Sequence, residues 1–127
     1  MSATPNYTAK LLSPILPVAD MATTIRFYIE ILGFDVMMES ESYSILRRAS
    51  VSLHLTKAHE GVLDAARGHV SIYLEVDDIE ALWSHVSQFK ARYKTRDLFD
   101  RAYGMREFHI ADPDDCLIFV GQQIKSL

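Results

Sequence analysis

"LPVADMATTIRFY", residues 16–28, and "LEVDDIEALWSHV", residues 74–86, are two versions of one pattern, and their match decides the fold. Leu16, Val18 and Asp20 stand at the same spacing as Leu74, Val76 and Asp78. In each copy an alternating apolar stretch ends a strand. The aspartate that follows is an N-cap, because its carboxylate accepts the unpaired N–H groups of a first helical turn. Helical spacing comes next: Met21, Ile25, Tyr28 and Leu32 share one face, as do Ile79, Leu82, Val86 and Phe89. Gly33 ends the first helix.

Outward from the first helix, strands are predicted over 34–39, 43–47 and 51–56. Outward from the second, a weak strand is predicted near 91–94, then strands over 107–110 and 116–120. Each half therefore reads β-α-β-β-β. The prediction is an α+β fold, one domain over 1–127, with modules at about 12–56 and 69–121 and a linker over 57–68. The closing hairpin, "YGMREFHIADPDDCLIFV" over 103–120, turns at Asp112-Pro113-Asp114-Asp115, which reads as turn chemistry. The polar stretch 95–103 is the expected mobile loop.

The composition, 49% hydrophobic and 24% charged in 127 residues, is that of a globular domain and excludes a disordered chain. A formal net charge of -4 argues against nucleic acid and anionic membranes, which require basic patches, and suits a cationic ligand. Cys116 stands alone, so an internal disulfide is impossible and a buried, inert thiol is expected. No apolar run approaches the roughly 18 residues of a membrane span, and the start does not read as a signal peptide. The expectation is cytoplasmic.

Strand alternation sorts the side chains by face. Val70, Ile72, Leu74 and Val76 face a helix, leaving His69, Ser71, Tyr73 and Glu75 on the other side. Leu53 and Leu55 likewise leave Ser52, His54 and Thr56, while Phe108 and Ile110 leave Glu107 and His109. The second face is polar and rich in imidazole, where a ligand is expected. His54, His69, Glu107 and His109 are candidates for a relocated two-histidine, carboxylate metal site. Glu107 is also read as a general base if burial raises its pKa, or as a partner of Arg106 or another surface cation. Tyr73 and Tyr103 can stack on a planar ligand, and one of Met37 and Met38 can form an adaptable wall. Trp83 is placed beside the core stripe, packing on a neighbour or a second copy. There is no Gly-rich phosphate loop, CxxC or HExxH motif.

"LPVAD", "FYIEILGF", "LEVDDIEALW" and "YGMREFHIADPD" together resemble the vicinal oxygen chelate superfamily of glyoxalases, extradiol dioxygenases and bleomycin-resistance proteins. The resemblance implies paired curved sheets around a cleft. In metal-binding members four strands each give one ligand. Motif matching puts those positions at Ser13, His54, Ser71 and either Phe119 or, with a turn one residue shorter, Ile118. Of these only His54 can bind a metal. "GxREFxxxDP" followed by an apolar strand resembles the bleomycin-resistance branch. The branch implies a homodimer that sequesters a bleomycin-like or other antibiotic without modifying it, and without metal or cofactor. The expected ligand is a small cationic or aromatic molecule. The expected binding residues are Met38, His54, His69, Ser71, Tyr73, Tyr103, Glu107 and His109. The alternative is a metal-dependent glyoxalase-type lyase or dioxygenase built on the relocated His/Glu set.

Overall fold

A computed structural model describes residues 3–125. The first module runs β1 (Ile15–Val18), α1 (Met21–Leu32), β2 (Asp35–Glu39), β3 (Tyr43–Arg48) and β4 (Val51–Lys57). After α2 (Glu60–Ala66) the second runs β5 (Ser71–Glu75), α3 (Ile79–Val86), β6 (Thr95–Asp100), β7 (Met105–Ala111) and β8 (Leu117–Gln123). Each module forms one four-stranded mixed sheet, ordered β1-β4-β3-β2 and β5-β8-β7-β6. In each sheet the first strand pairs parallel to the last and the rest pair antiparallel. The α+β architecture and the internal repeat follow the sequence pattern.

The caps are the ones the repeat predicts. Asp20 accepts from the Thr23 N–H at 3.0 Å and Asp78 from the Ala81 N–H at 3.2 Å. Gly33, at φ 70°, closes α1: its N–H reaches the Ile29 carbonyl and the Phe34 N–H reaches that of Tyr28. The helix-facing sides of both sheets feed one hydrophobic cluster. Leu46, Leu53 and Leu55 of the first sheet meet Phe108, Ile118 and Val120 of the second through α1 and α3. Burying each such side chain contributes roughly 1.5–3 kcal/mol. Because both sheets turn their apolar sides to this shared core, their other faces point away from it.

Two sequence expectations, the place of the sixth strand and the mobile loop, are corrected. The sixth strand lies at Thr95–Asp100, not near 91–94, so the stretch read as a mobile loop is mostly strand. The chain stays turned through Tyr93 because Arg92 and Tyr93 N–H groups bond the Phe89 carbonyl, and the Tyr93 ring packs edge-on to Phe27 at 4.9 Å. TRDLFD gives no clean alternation, which hid the strand. The stretch 57–68 holds α2, unread because only Leu63 of its seven residues is buried. Trp83 leans on the core, its ring 5.0 Å from Phe108.

The β7–β8 turn is also the joint between modules. Asp112 Oδ1 accepts from the N–H groups of Asp114 (2.8 Å) and Cys116 (3.0 Å), as an Asx turn does. Its Oδ2 accepts from the buried Tyr28 hydroxyl of α1 at 2.8 Å. Asp114 accepts from Thr24 Oγ1 (2.8 Å) and the Ala19 N–H (3.0 Å). Burial pushes the Asp112 carboxyl up to about 6, against the pull of its donors, and lifts the neighbouring Cys116 thiol to about 12, leaving it unreactive. A carboxyl raised on folding binds more protons folded than unfolded, so its stabilising effect is full at low pH and fades as pH rises through about 6. Asp112→Asn keeps both acceptor bonds and can donate to Tyr28. Denaturant midpoints between about pH 4 and pH 7 should show wild type losing about 1–3 kcal/mol relative to that variant. Parallel profiles would contradict this role.

Candidate functional site

The outer face of the second sheet is built from cross-strand rows. One row reads Tyr73, Phe119, His109 and Arg96 across β5, β8, β7 and β6; the next reads Glu75, Gly121, Glu107 and Phe99. Phe119 thus takes the outer position, while Ile118, favoured by the shorter-turn reading, is fully buried in the core.

Glu107 is the centre of this face. It is inaccessible to solvent (0%), yet it points away from the hydrophobic core. Tyr73 donates to Oε2 at 2.8 Å, and Tyr103 donates to the same oxygen. His109 Nε2 lies 3.1 Å from Oε1 and Arg101 Nη1 donates to Oε1 at 3.3 Å. Burial alone pushes a carboxyl up; here four donors outweigh it and hold Glu107 below the usual range. A general base for neutral pH needs the opposite shift and a free lone pair. The expected pairing with a cation is present, but the cation is Arg101 and not Arg106, which bonds Asp100 and Glu80, each at 2.8 Å. Burial and then the bond to Glu107 raise the Tyr73 phenol, and the Glu107 bond does the same for Tyr103. Both phenols stay protonated and donate.

Gly121 makes the arrangement fit. Tyr73 lies across β8, and a Cβ at Gly121 would stand 1.9 Å from its hydroxyl oxygen and 2.7 Å from Cζ. Tyr73 and Phe119 rings are nearly parallel (17°), with centroids 6.4 Å apart, and His109 packs 4.2 Å from Phe119. Tyr73 and Tyr103 remain 48% and 58% exposed, so the face offers aromatic surface over an anion it never shows to water.

The first sheet's outer face is more apolar. Ile15, His54, Ile45 and Met38 form one row across β1, β4, β3 and β2. The Tyr43 hydroxyl lies 2.6 Å from His54 Nδ1. Met38 and Ile15 are exposed. Ser13 and Ser52 hydroxyls bond each other.

The predicted residues are therefore split. Met38 and His54 lie in the first sheet; Ser71, Tyr73, Glu107 and His109 lie in the second, with Tyr103 in the turn beside it. His69 stands in the turn before β5, exposed and off the strand, because the Arg67-Gly68 reversal holds its N–H on Ala66 and pairing starts only at Ser71. The relocated metal set of His54, His69, Glu107 and His109 does not assemble, and among the described residues no three His, Cys, Asp or Glu side chains group as metal ligands do. The four positions matched to metal-binding members carry two serines, one histidine and a phenyl ring, a donor set that does not fit a divalent metal. Arg96, Phe99, Arg101 and Gly121 are not among the residues the sequence singles out, and Phe119 enters there only as a matched metal position. The alternation of Phe119 and Gly121 with core residues was the available signal for two of them.

The model of the glyoxalase/bleomycin resistance protein/dioxygenase superfamily matches residues 6–119. The chain belongs to this superfamily. A bleomycin resistance protein of Geobacillus stearothermophilus is 30% identical over 127 residues, spanning 89% of this chain and 96% of that protein. Among solved structures, a bleomycin-binding protein complexed with bleomycin superposes with a TM-score of 0.77 at 24% identity, over 91% of this chain and 99% of that one. A bleomycin resistance determinant encoded on the transposon Tn5 gives 0.74 at 25% identity, over 91% and 98%. The structural likenesses confirm the two-module fold, and the family model and the relative confirm the superfamily read from the repeat and its motifs. No helix among the described residues is long and apolar enough to cross a membrane.

Proposed function

We propose that the protein binds a small cationic or aromatic antibiotic of the bleomycin type and sequesters it without chemistry and without a metal. The observation that carries this reading is Glu107: a buried anion with every oxygen occupied by donors, roofed by two tyrosines that present ring surface. Such a group sets charge and orientation for a ligand, while its lowered pKa and filled lone pairs suit it poorly to moving protons. Similarity to bleomycin resistance proteins over most of the chain supports the ligand class.

The working unit in this reading is a homodimer. Both sheets end in an edge strand, β1 and β5, whose outer backbone groups have no strand partner among the described residues. Leu12, just before β1, and Ile15, its first residue, stand 95% and 57% exposed. A second copy seated on these edges shields them and lengthens both outer faces into clefts, with Met38, His54 and Ser71 as wall residues.

Tyr103→Ala tests the site. It removes exposed ring surface while three donors remain on Glu107. Bleomycin affinity should fall about tenfold, the scale of an aromatic anchor, with the melting temperature nearly unchanged. Equal affinity would remove Tyr103 from the site. Elemental analysis after incubation with iron, nickel, zinc and manganese should show no stoichiometric metal; retention of one would restore the lyase or dioxygenase reading.

A further inference from the structure

The β6–β7 turn folds one of the protein's own cations into the proposed site. The Arg101 guanidinium carbon lies 4.9 Å from the Tyr103 ring centroid and 5.4 Å from that of Phe99, and Nη1 reaches Glu107 at 3.3 Å. Two aromatic rings and a carboxylate around a planar cation are the parts of a cation-recognition box. Phe99 also holds the Arg96 guanidinium, 3.6 Å from its centroid, so this ring is already used as a cation platform.

Several features mark the Arg101 side chain as replaceable. Its bond to Glu107 is the longest of the four, against the roughly 2.7–2.9 Å usual for a charge-assisted pair. Glu107 keeps Tyr73, Tyr103 and His109 as donors when Arg101 leaves. The turn is closed by backbone bonds, Arg101 N–H to the Met105 carbonyl (2.7 Å) and Gly104 N–H to the Arg101 carbonyl (3.1 Å), which need no side chain. The side chain is 33% exposed, so it has a way out into solvent.

We propose that Arg101 is an internal stand-in, occupying a Phe99–Tyr103–Glu107 box whose ligand is a planar organic cation, a guanidinium or amidinium group that displaces it. The inference rests on the reading of this face as the ligand site and gives that ligand its chemical class. The exchange replaces one cation by another beside Glu107, so the buried carboxylate is never left without a counter-charge. An unusual consequence follows: removing Arg101, a residue in direct contact with the box, strengthens binding of the cation.

The test titrates full-length wild type, Arg101→Ala and Arg101→Met with methylguanidinium, and with N-methylurea as its neutral isostere. The ring signals of Tyr73, Tyr103 and His109 report occupancy by nuclear magnetic resonance. Both variants should bind methylguanidinium saturably and at least tenfold more tightly than wild type, with no saturable response to N-methylurea. Adding Glu107→Gln to Arg101→Ala should abolish the response. Equal affinity in wild type and variants, or equal binding of the neutral isostere, would overturn the proposal. So would unfolding of both variants, since Arg101 would then be a strut and not a stand-in. Methylguanidinium binding without drug binding keeps the box and rejects the antibiotic reading; drug binding without the methylguanidinium response does the reverse.

Discussion

Glu107→Ala lowers the free energy of unfolding by about 2–4 kcal/mol and abolishes ligand binding. The substitution takes the acceptor from Tyr73, Tyr103, His109 and Arg101 together. The tyrosines and Arg101 can turn to water, which limits the cost; His109, only 8% exposed, cannot do so freely. Glu107→Gln keeps the shape but turns a donor toward groups that are themselves donors, so it also loses binding while costing less stability. Chemical denaturation of both variants measures this. Wild-type stability at all comparable with that of the alanine variant would mean that the four contacts contribute nothing. The pH dependence has a definite sign. A carboxyl whose pKa falls on folding stabilises fully above its unfolded value, near 4.5, and that contribution is lost as pH drops through the folded value. Acidification should therefore weaken wild type more than Glu107→Gln, a trend opposite in sign to that of Asp112.

Gly121→Val is the second large effect, and it acts without touching a charge. Even a single Cβ would stand 1.9 Å from the Tyr73 hydroxyl, so the branched side chain forces the phenol off the strand and off Glu107. The lost bond to a charged acceptor sets the scale, about 1.5–3 kcal/mol. Ligand affinity should fall tenfold or more, since the ring that is nearly parallel to Phe119 is displaced with its hydroxyl. Combining Gly121→Val with Tyr73→Phe separates the two causes. The pair of changes should cost much less than the sum of the single ones, because both break the same contact. Full additivity would place the effect of Gly121→Val elsewhere in β8.

The modules were legible because aspartate caps, helical stripes and alternating strands are local signals, and the repeat presented each of them twice. The outer polar face was legible for the same reason: period-two alternation put Tyr73, Glu107 and His109 on one side of their sheet. What the sequence concealed is of a different kind. Arg101 reaches Glu107 only because the β6–β7 turn folds back, and TRDLFD, charged and irregular, did not announce the strand that leads into it. Gly121 matters through the space it leaves for Tyr73 of the neighbouring strand β5, a contact between residues far apart in sequence that no local rule reads. His69 was misplaced because alternation assigns faces only inside a strand, and the strand begins two residues later. For Glu107 the alternation placed the side chain and left two chemistries open, a base raised by burial or a partner of a cation; the donors that decide between them come from β5, β7 and the β6–β7 turn, brought together only by folding.

The central claim is that this face holds a ligand unchanged and without metal. The most direct measurement is a calorimetric titration of the chelator-treated protein with metal-free bleomycin, followed by mass analysis of the recovered drug. Saturable binding and a drug of unaltered mass are expected. No binding, or a drug recovered with a changed mass, would contradict it.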